Sequence, residues 1–281
     1  MRIAVIGATG VLGRHLVPRL VERGHAVCAT ARRDADLDRL KRIGAEAVAA
    51  DIFDPASLRA AVVNCDAAVH AATSIPTAAG RGDWAVNDRI RREGTANLLA
   101  ACRAERVRRY VQQSVAMLHL TDDSRPQTED DALGHTDRIR SALEMEQMVS
   151  QAPLDWCIVR GGAFYGPGTG RPEAWRSQAR GGVLTLPGDG NGFLSLIHVA
   201  DMAAAMVAVV ERGRPKQAYI AADDQPATYR DLFGYVAAME GAPPPAAGGP
   251  VPLPSFRVSN AKLKALGWSP GYPSFRAGLA A

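Results

Sequence analysis

Lysine is scarce in this chain: Lys41, Lys216, Lys262 and Lys264 are the only four in 281 residues, and arginine carries the rest of the positive charge. Cysteine is as rare. Cys28, Cys65, Cys102 and Cys157 stand apart among apolar neighbours without paired ligand spacing, so they predict buried free thiols and no metal site. No apolar run approaches the roughly 18 residues that a membrane span requires. Gly7, Gly10, Gly13 and Arg14 interrupt the first segment in a way that a signal peptide does not, so the expected location is the cytoplasm. Aromatic residues make up only 6% of the chain, and none interleave as stacking platforms with Arg89, Arg91, Arg92, Arg103, Arg106, Arg108 and Arg109. With a net charge of +4, these arginines read as a solvated helix face rather than a nucleic-acid surface. There is no internal repeat and no heptad run.

What is present is a chain that is 47% hydrophobic and 22% charged, enough to bury a large core as one domain or two joined lobes. Apolar spacing predicts strands over 1–6, 26–30, 46–49, 67–70, 109–113 and 156–160. Helices are expected after Gly13 and over 37–42, 55–63, 87–106 and 136–151. That alternation specifies an α/β fold, a Rossmann-like doubly wound parallel sheet. After Gly161 the chain becomes rich in Gly and Pro. We expect residues 1–160 to form the nucleotide-binding part, 193–222 to return to it, and 161–192 with 223–281 to form a smaller C-terminal substrate-binding lobe.

The sharpest motif is Gly7-Ala8-Thr9-Gly10-Val11-Leu12-Gly13, placed between the first strand and an amphipathic helix. Backbone can approach a pyrophosphate closely only where no Cβ intervenes, and a helix start offers free N–H groups to the phosphate. Residues 7–13 therefore predict a dinucleotide site, with Gly7, Thr9, Gly10, Val11, Leu12 and Gly13 in contact with the cofactor. After the second strand comes Thr30-Ala31-Arg32-Arg33, with no acid to bind ribose hydroxyls. Arg32 and Arg33 instead suit the 2′-phosphate of NADPH, with NADH binding more weakly. Asp51 and Ile52 fit the adenine edge, and Ala71, Ala72 and Thr73 offer a small-residue wall along the cofactor.

These segments, together with Glu93-Gly94-Thr95-Ala96-Asn97-Leu98-Leu99, Val111 to Ser114, Arg160-Gly161-Gly162, Tyr165-Gly166-Pro167-Gly168, Ile197-His198-Val199-Ala200-Asp201 and Gly267-Trp268, resemble the extended and atypical short-chain dehydrogenase/reductases of the epimerase/dehydratase-like branch. The resemblance covers nearly the whole chain. It implies hydride transfer along the C-terminal strand edge, with Gly162 and Phe164 beside the cofactor and substrate between the lobes. It also implies a Ser or Thr after the fifth strand and Tyr-x-x-x-Lys on the next helix. Ser114 matches the first of these, while Arg138 and Ala142 stand where the Tyr and Lys belong. None of Tyr110, Tyr165, Tyr219, Tyr229, Tyr235 or Tyr272 is followed four residues later by lysine. Sugar-nucleotide epimerase or dehydratase chemistry, which needs that phenol, is disfavoured.

The resemblance extends to atypical ketoreductases that tailor aromatic polyketides such as angucyclinones in antibiotic biosynthesis. It implies NADPH-dependent reduction of a carbonyl on a small aromatic substrate, with a phenol of the substrate replacing the missing acid. Ser114 would donate to the oxygen and His119 would relay a proton. Trp84, Met117, Tyr165 and Trp175 would border the substrate. His198 and Asp201 read as links between strand and helix, and His70 as packed. A non-catalytic NADPH sensor and an isomerase or cyclase on the same scaffold stay open. The helices over 87–106 and 136–151 pair in dimeric relatives, but the first carries Arg89, Arg91, Arg92 and Glu93, so both monomer and homodimer are expected possibilities.

Overall fold

The computed structural model describes residues 1–76, 82–120 and 125–281. In chain order the elements of the first part are β1 (Arg2–Ile6), α1 (Gly13–Glu22), β2 (Ala26–Ala31), α2 (Asp34–Arg42), β3 (Glu46–Ala49), α3 (Pro55–Val62), β4 (Ala67–His70), α4 (Trp84–Arg89), α5 (Thr95–Ala104), β5 (Arg109–Val115), α6 (Arg140–Ser150) and β6 (Asp155–Gly161). The chain continues with β7 (Ala163–Tyr165), α7 (Arg171–Arg180), β8 (Thr185–Pro187), β9 (Phe193–Leu194), β10 (Leu196–His198), α8 (Val199–Arg212), β11 (Gln217–Ala221), β12 (Ala227–Thr228) and α9 (Tyr229–Met239). Seven strands form one sheet in the order β3-β2-β1-β4-β5-β6-β11, every neighbouring pair parallel. The strand order reverses direction between β1 and β4. A doubly wound sheet opens a crevice at that point, beyond the carboxyl ends of its strands.

Strands such as β1 and β4 are apolar on both sides because helices cover both faces. Leu16, Val17 and Leu20 of α1 pack with Met202, Met206 and Val209 of α8 over one face, while Leu58, Val62, Leu98 and Leu99 of α3 and α5 cover the other. Asp54 caps α3 by accepting from the Ala56 N–H at 3.1 Å, with Pro55 at the first helical position. A separate core gathers Leu186, Leu194, Tyr229, Phe233, Phe256 and Phe275 from the C-terminal half. All four cysteines are free and buried. No helix among the described residues is long and apolar enough to cross a membrane.

Three differences from the periodicity have physical causes. The segment predicted as one helix over 87–106 is α4, a π-turn at Ile90–Gly94 and then α5, so Trp84 opens the helix from Asp83, whose carboxylate accepts from the Val86 N–H. Helical spacing cannot reveal one wide turn. Strand β5 runs on to Val115, paired through Ser114↔Arg160 and Val115↔Gly161. The strand near 193 does not rejoin the main sheet, since β10 pairs with β7. It is α8 and the edge strand β11 that return.

Candidate active site

Two cavities lie end to end along the crevice and share Ala71 and Thr73. The first, about 190 Å³, is lined by Gly7, Thr9, Gly10, Thr30, Arg32, Asp51, Ile52, Phe53, Ala72 and Ser74 among others. Gly7 makes it possible: its φ is +90°, and a Cβ there would collide with the backbone of Ala71 and Ala72. A Cβ on Gly10 would meet nothing nearer than the Gly7 carbonyl oxygen at 3.3 Å, leaving that position open for a ligand to approach the chain. A Cβ on Gly13 would strike Gly7 and Ala8, so this glycine serves packing of the turn and does not line the cavity. No side chain caps the start of α1. An uncapped helix N-terminus behind a glycine turn is a cradle for phosphate, and these residues fit a dinucleotide.

Arg32 lines this cavity, three-quarters exposed, with its guanidinium 3.8 Å from Asp51. Arg33 does not line it; its guanidinium is tied to Asp36 at 2.7 Å at the start of α2. Of the two arginines expected at a 2′-phosphate, only Arg32 lines this cavity.

The second cavity, about 170 Å³, is lined by Val11, Leu12, Ile75, Pro76, Gln113, Val115, Met117, Gly162, Ala163, Phe164, Thr169 and Arg171 together with the two shared residues. Its lining is mainly apolar. Among these lining residues arginine is the only titratable type, and there is no Tyr, Lys, His, Asp or Glu.

Ser114 is not in this wall. Side chains alternate along β5, so Gln113 and Val115 face the cleft and Ser114 faces the opposite way. Its hydroxyl, 2% exposed, donates to Glu146 of α6 at 2.5 Å. Glu146 in turn accepts a bidentate pair from Arg160 of β6, with Nη2 at 2.7 Å and Nε at 3.1 Å. His119, expected as a relay, is wholly buried in the same cluster, with Nε2 accepting from Arg160 Nη1 at 3.1 Å. Burial, then the neighbouring Arg160 charge, push its pKa down to about 4, so the ring is neutral. Both expected catalytic roles are thus corrected: these groups hold each other behind the strand and line neither of the two cavities.

Of the residues expected around the substrate, Met117 lines the second cavity. Tyr165 is fully buried and donates to the Ser274 carbonyl at 3.2 Å, and Trp175 packs on Phe233 with ring centroids 5.9 Å apart. Both belong to the C-terminal core because β7 and α7 turn those side chains away from the cleft. Trp84 is outside both cavities, with the Arg138 guanidinium 5.4 Å from its ring. Arg138 also donates to the Pro252 carbonyl, and Ala142 is packed with Val115, Leu118 and Ile139.

His198 caps α8, with Nδ1 accepting from the Ala200 N–H at 3.3 Å, and Asp201 accepts from the Gly271 and Tyr272 N–H groups at 2.9 Å. Both link strand, helix and C-terminal segment. His70 is buried, and its pKa is pushed down to about 4 by burial. Lining residues missed from sequence include Gln113, Val115, Ile75, Pro76, Thr169 and Arg171 in the second cavity and Thr30, Phe53 and Ser74 in the first. The two-residue period of β5 was the available signal for Gln113 and Val115, whereas nothing local marks Arg171.

The family described as NAD(P)H-binding matches residues 7–212. The chain is 34% identical to the 3-diazoavenalumate denitrifying reductase of a Streptomyces species over 99% of each protein. It is 29% identical to the 2-alkyl-3-oxoalkanoate reductase of Stenotrophomonas maltophilia, covering 86% of this chain and 77% of that one. Among solved structures it is similar to the dTDP-glucose 4,6-dehydratase of Streptomyces venezuelae with NAD bound, at a TM-score of 0.83 and 25% identity over 100% of this chain and 95% of the other.

Proposed function

For a chain that belongs to the NAD(P)H-binding family and is an NAD(P)H-dependent oxidoreductase of the extended short-chain dehydrogenase/reductase type, we propose that it reduces a carbonyl of a flat, aromatic polyketide-like substrate whose own phenol supplies the proton. The observation that carries this reading is the second cavity: mainly apolar, next to the dinucleotide cradle, and, among the described residues, lined by no Tyr, Lys, His, Asp or Glu. Gly7, Gly10 and the start of α1 would hold the pyrophosphate, Arg32 the 2′-phosphate of NADPH, and Val11, Leu12, Gly162 and Phe164 the nicotinamide. Bound there, NADPH supplies a hydride to an electron-poor carbon. Met117, Val115, Ile75 and Phe164 exclude water and hold a planar ring system. A phenol ortho or peri to a ketone polarises the carbonyl by an internal hydrogen bond and donates its proton as the alkoxide forms.

The same lack of an acid favours a second reading, given the full-length relative named for a diazo substrate. An aryl diazonium that accepts hydride releases dinitrogen with the carbon–nitrogen bonding pair, and no proton is needed at all.

Single-turnover NADPH consumption, with a hydroxy-ketone, its methyl ether and an ortho-diazonium phenol offered in parallel, tests both. We expect the free phenol to react at least about 100-fold faster than the ether, the scale of general acid catalysis. An ether that binds normally and reacts at the same rate overturns the substrate-supplied proton. Turnover of the diazonium alone moves the assignment to the second reading.

A further inference from the structure

Two arginines near the cleft are treated in opposite ways by the fold. Arg160, behind β5, is fully matched by the Glu146 carboxylate. Arg171, the first residue of α7, has no carboxylate within ion-pair distance among the described residues. Its one side-chain hydrogen bond runs from Nη1 to the Phe164 carbonyl at 3.2 Å, which orients the guanidinium plane and leaves the remaining donors uncommitted. Its position is built as well. Gly170 enters the helix at φ +71°, and buried Thr169, whose hydroxyl donates to the Gly166 carbonyl at 2.7 Å, holds the turn that presents it. Thr169 and Arg171 both line the second cavity. Surrounding atoms enclose the side chain enough to push its pKa down through burial, while its open surface faces the cleft.

An arginine that is partly buried and has no counter-charge is costly unless an anion arrives with the ligand. The cofactor's pyrophosphate has its own cradle in the first cavity, at Gly7 and Gly10. We propose that Arg171 is the specificity-determining residue for a carboxylate on the substrate: the ligand is a planar, unsaturated or aromatic acid, its ring between Met117, Val115 and Phe164 and its carboxylate on Arg171. This rests on the reading of the second cavity as the substrate cleft.

The test uses the NADPH-loaded protein and two probes of the same shape, 4-hydroxycinnamate and 4-hydroxycinnamide, with wild type, Arg171→Lys and Arg171→Gln. Calorimetric titration should give about 10- to 100-fold tighter binding of the acid than of the amide to wild type, the range of one or two charge-assisted hydrogen bonds. Arg171→Gln should bind the two alike, and Arg171→Lys should keep part of the preference. NADPH affinity, titrated separately, should stay within about twofold across the three proteins, which also certifies that each is folded. The assignment is overturned if wild type shows no preference or no measurable binding of the acid, or if Arg171→Gln keeps the preference. It is also overturned if Arg171→Gln loses NADPH affinity as strongly, since the arginine would then serve the cofactor. Failure of wild type to bind NADPH would instead sink the underlying reading of the cleft.

Discussion

Along β5, Gln113 and Val115 belong to a wall whose only titratable side chain among the described residues is Arg171, whereas Ser114 between them points into a sealed cluster with Glu146, Arg160 and His119. One face is open and nearly free of ionisable groups; the other concentrates them where no substrate can reach. A residue's place in a motif therefore says less about its chemistry than the face on which the strand presents it. The hydroxyl that a motif-based reading puts at the reacting oxygen is spent on a carboxylate, and the groups that look like an acid-base set form a structural joint between β5, β6 and α6.

The largest expected effect comes from breaking that joint. Glu146→Leu leaves Arg160 buried without its counter-charge, and removing one partner of such a pair costs about 3–5 kcal/mol. The pair is about 5–7% exposed, so solvent screening does not soften this. Replacing both, as Glu146→Leu with Arg160→Met, should restore most of the loss, because the two desolvation penalties go together. Urea denaturation of the three proteins measures the stability, and an NADPH titration should stay unchanged. A single variant as stable as wild type would mean that the cluster is not sealed, and the contrast between the two faces would fail.

A smaller effect comes from pH. His119 is neutral in the folded protein, with its pKa near 4, but titrates near 6.5 when unfolded. Between those values the unfolded chain binds the extra proton, so stability is complete above about 6.5 and declines as the pH falls toward about 4. Asp223, pushed up to about 8 chiefly by burial, acts in the opposite sense, with stability declining as the pH rises toward 8. The His119 contribution is thus read as the difference between wild type and His119→Asn, measured by urea denaturation at pH 7.5 and pH 5. The variant should lose less stability on acidification. Equal losses would place the imidazole in contact with water.

Much of the crevice was legible because it is written in short range. Three glycines between a strand and a helix specify a turn, and the turn specifies a phosphate cradle wherever the sheet ends. The small residues Ala71 to Thr73 fall at the end of β4 and line the cavities for the same local reason. What was not legible depends on tertiary orientation. Arg32 and Arg33 are adjacent, and only the packing of α2 decides that Arg33 turns to Asp36. Tyr165 and Trp175 sit beside the cleft in sequence, but the core around Phe233 and Ser274 draws them inward. Arg171 lies in a Gly-rich stretch without periodicity, so only the fold brings it into the same wall as Val115.

The smallest predicted effect is the most discriminating. If Ser114 donated to the oxygen of a reacting carbonyl, Ser114→Ala would slow reduction by about 10- to 1,000-fold, the upper end being the cost of one lost oxyanion donor. With its hydroxyl committed to Glu146 at 2.5 Å on the far face of β5, the same substitution should change single-turnover rates by less than about threefold. The cost should fall on folding instead. Glu146 loses one of its donors but keeps the bidentate Arg160, so a penalty of about 1–2 kcal/mol in urea denaturation is expected. The informative quantity is the ratio of the two losses. A stability loss with intact turnover places Ser114 in the joint, as the distances require. Slowed turnover with unchanged stability would mean that β5 turns its hydroxyl to the cleft in the working enzyme, and the division between its two faces would not hold during reduction.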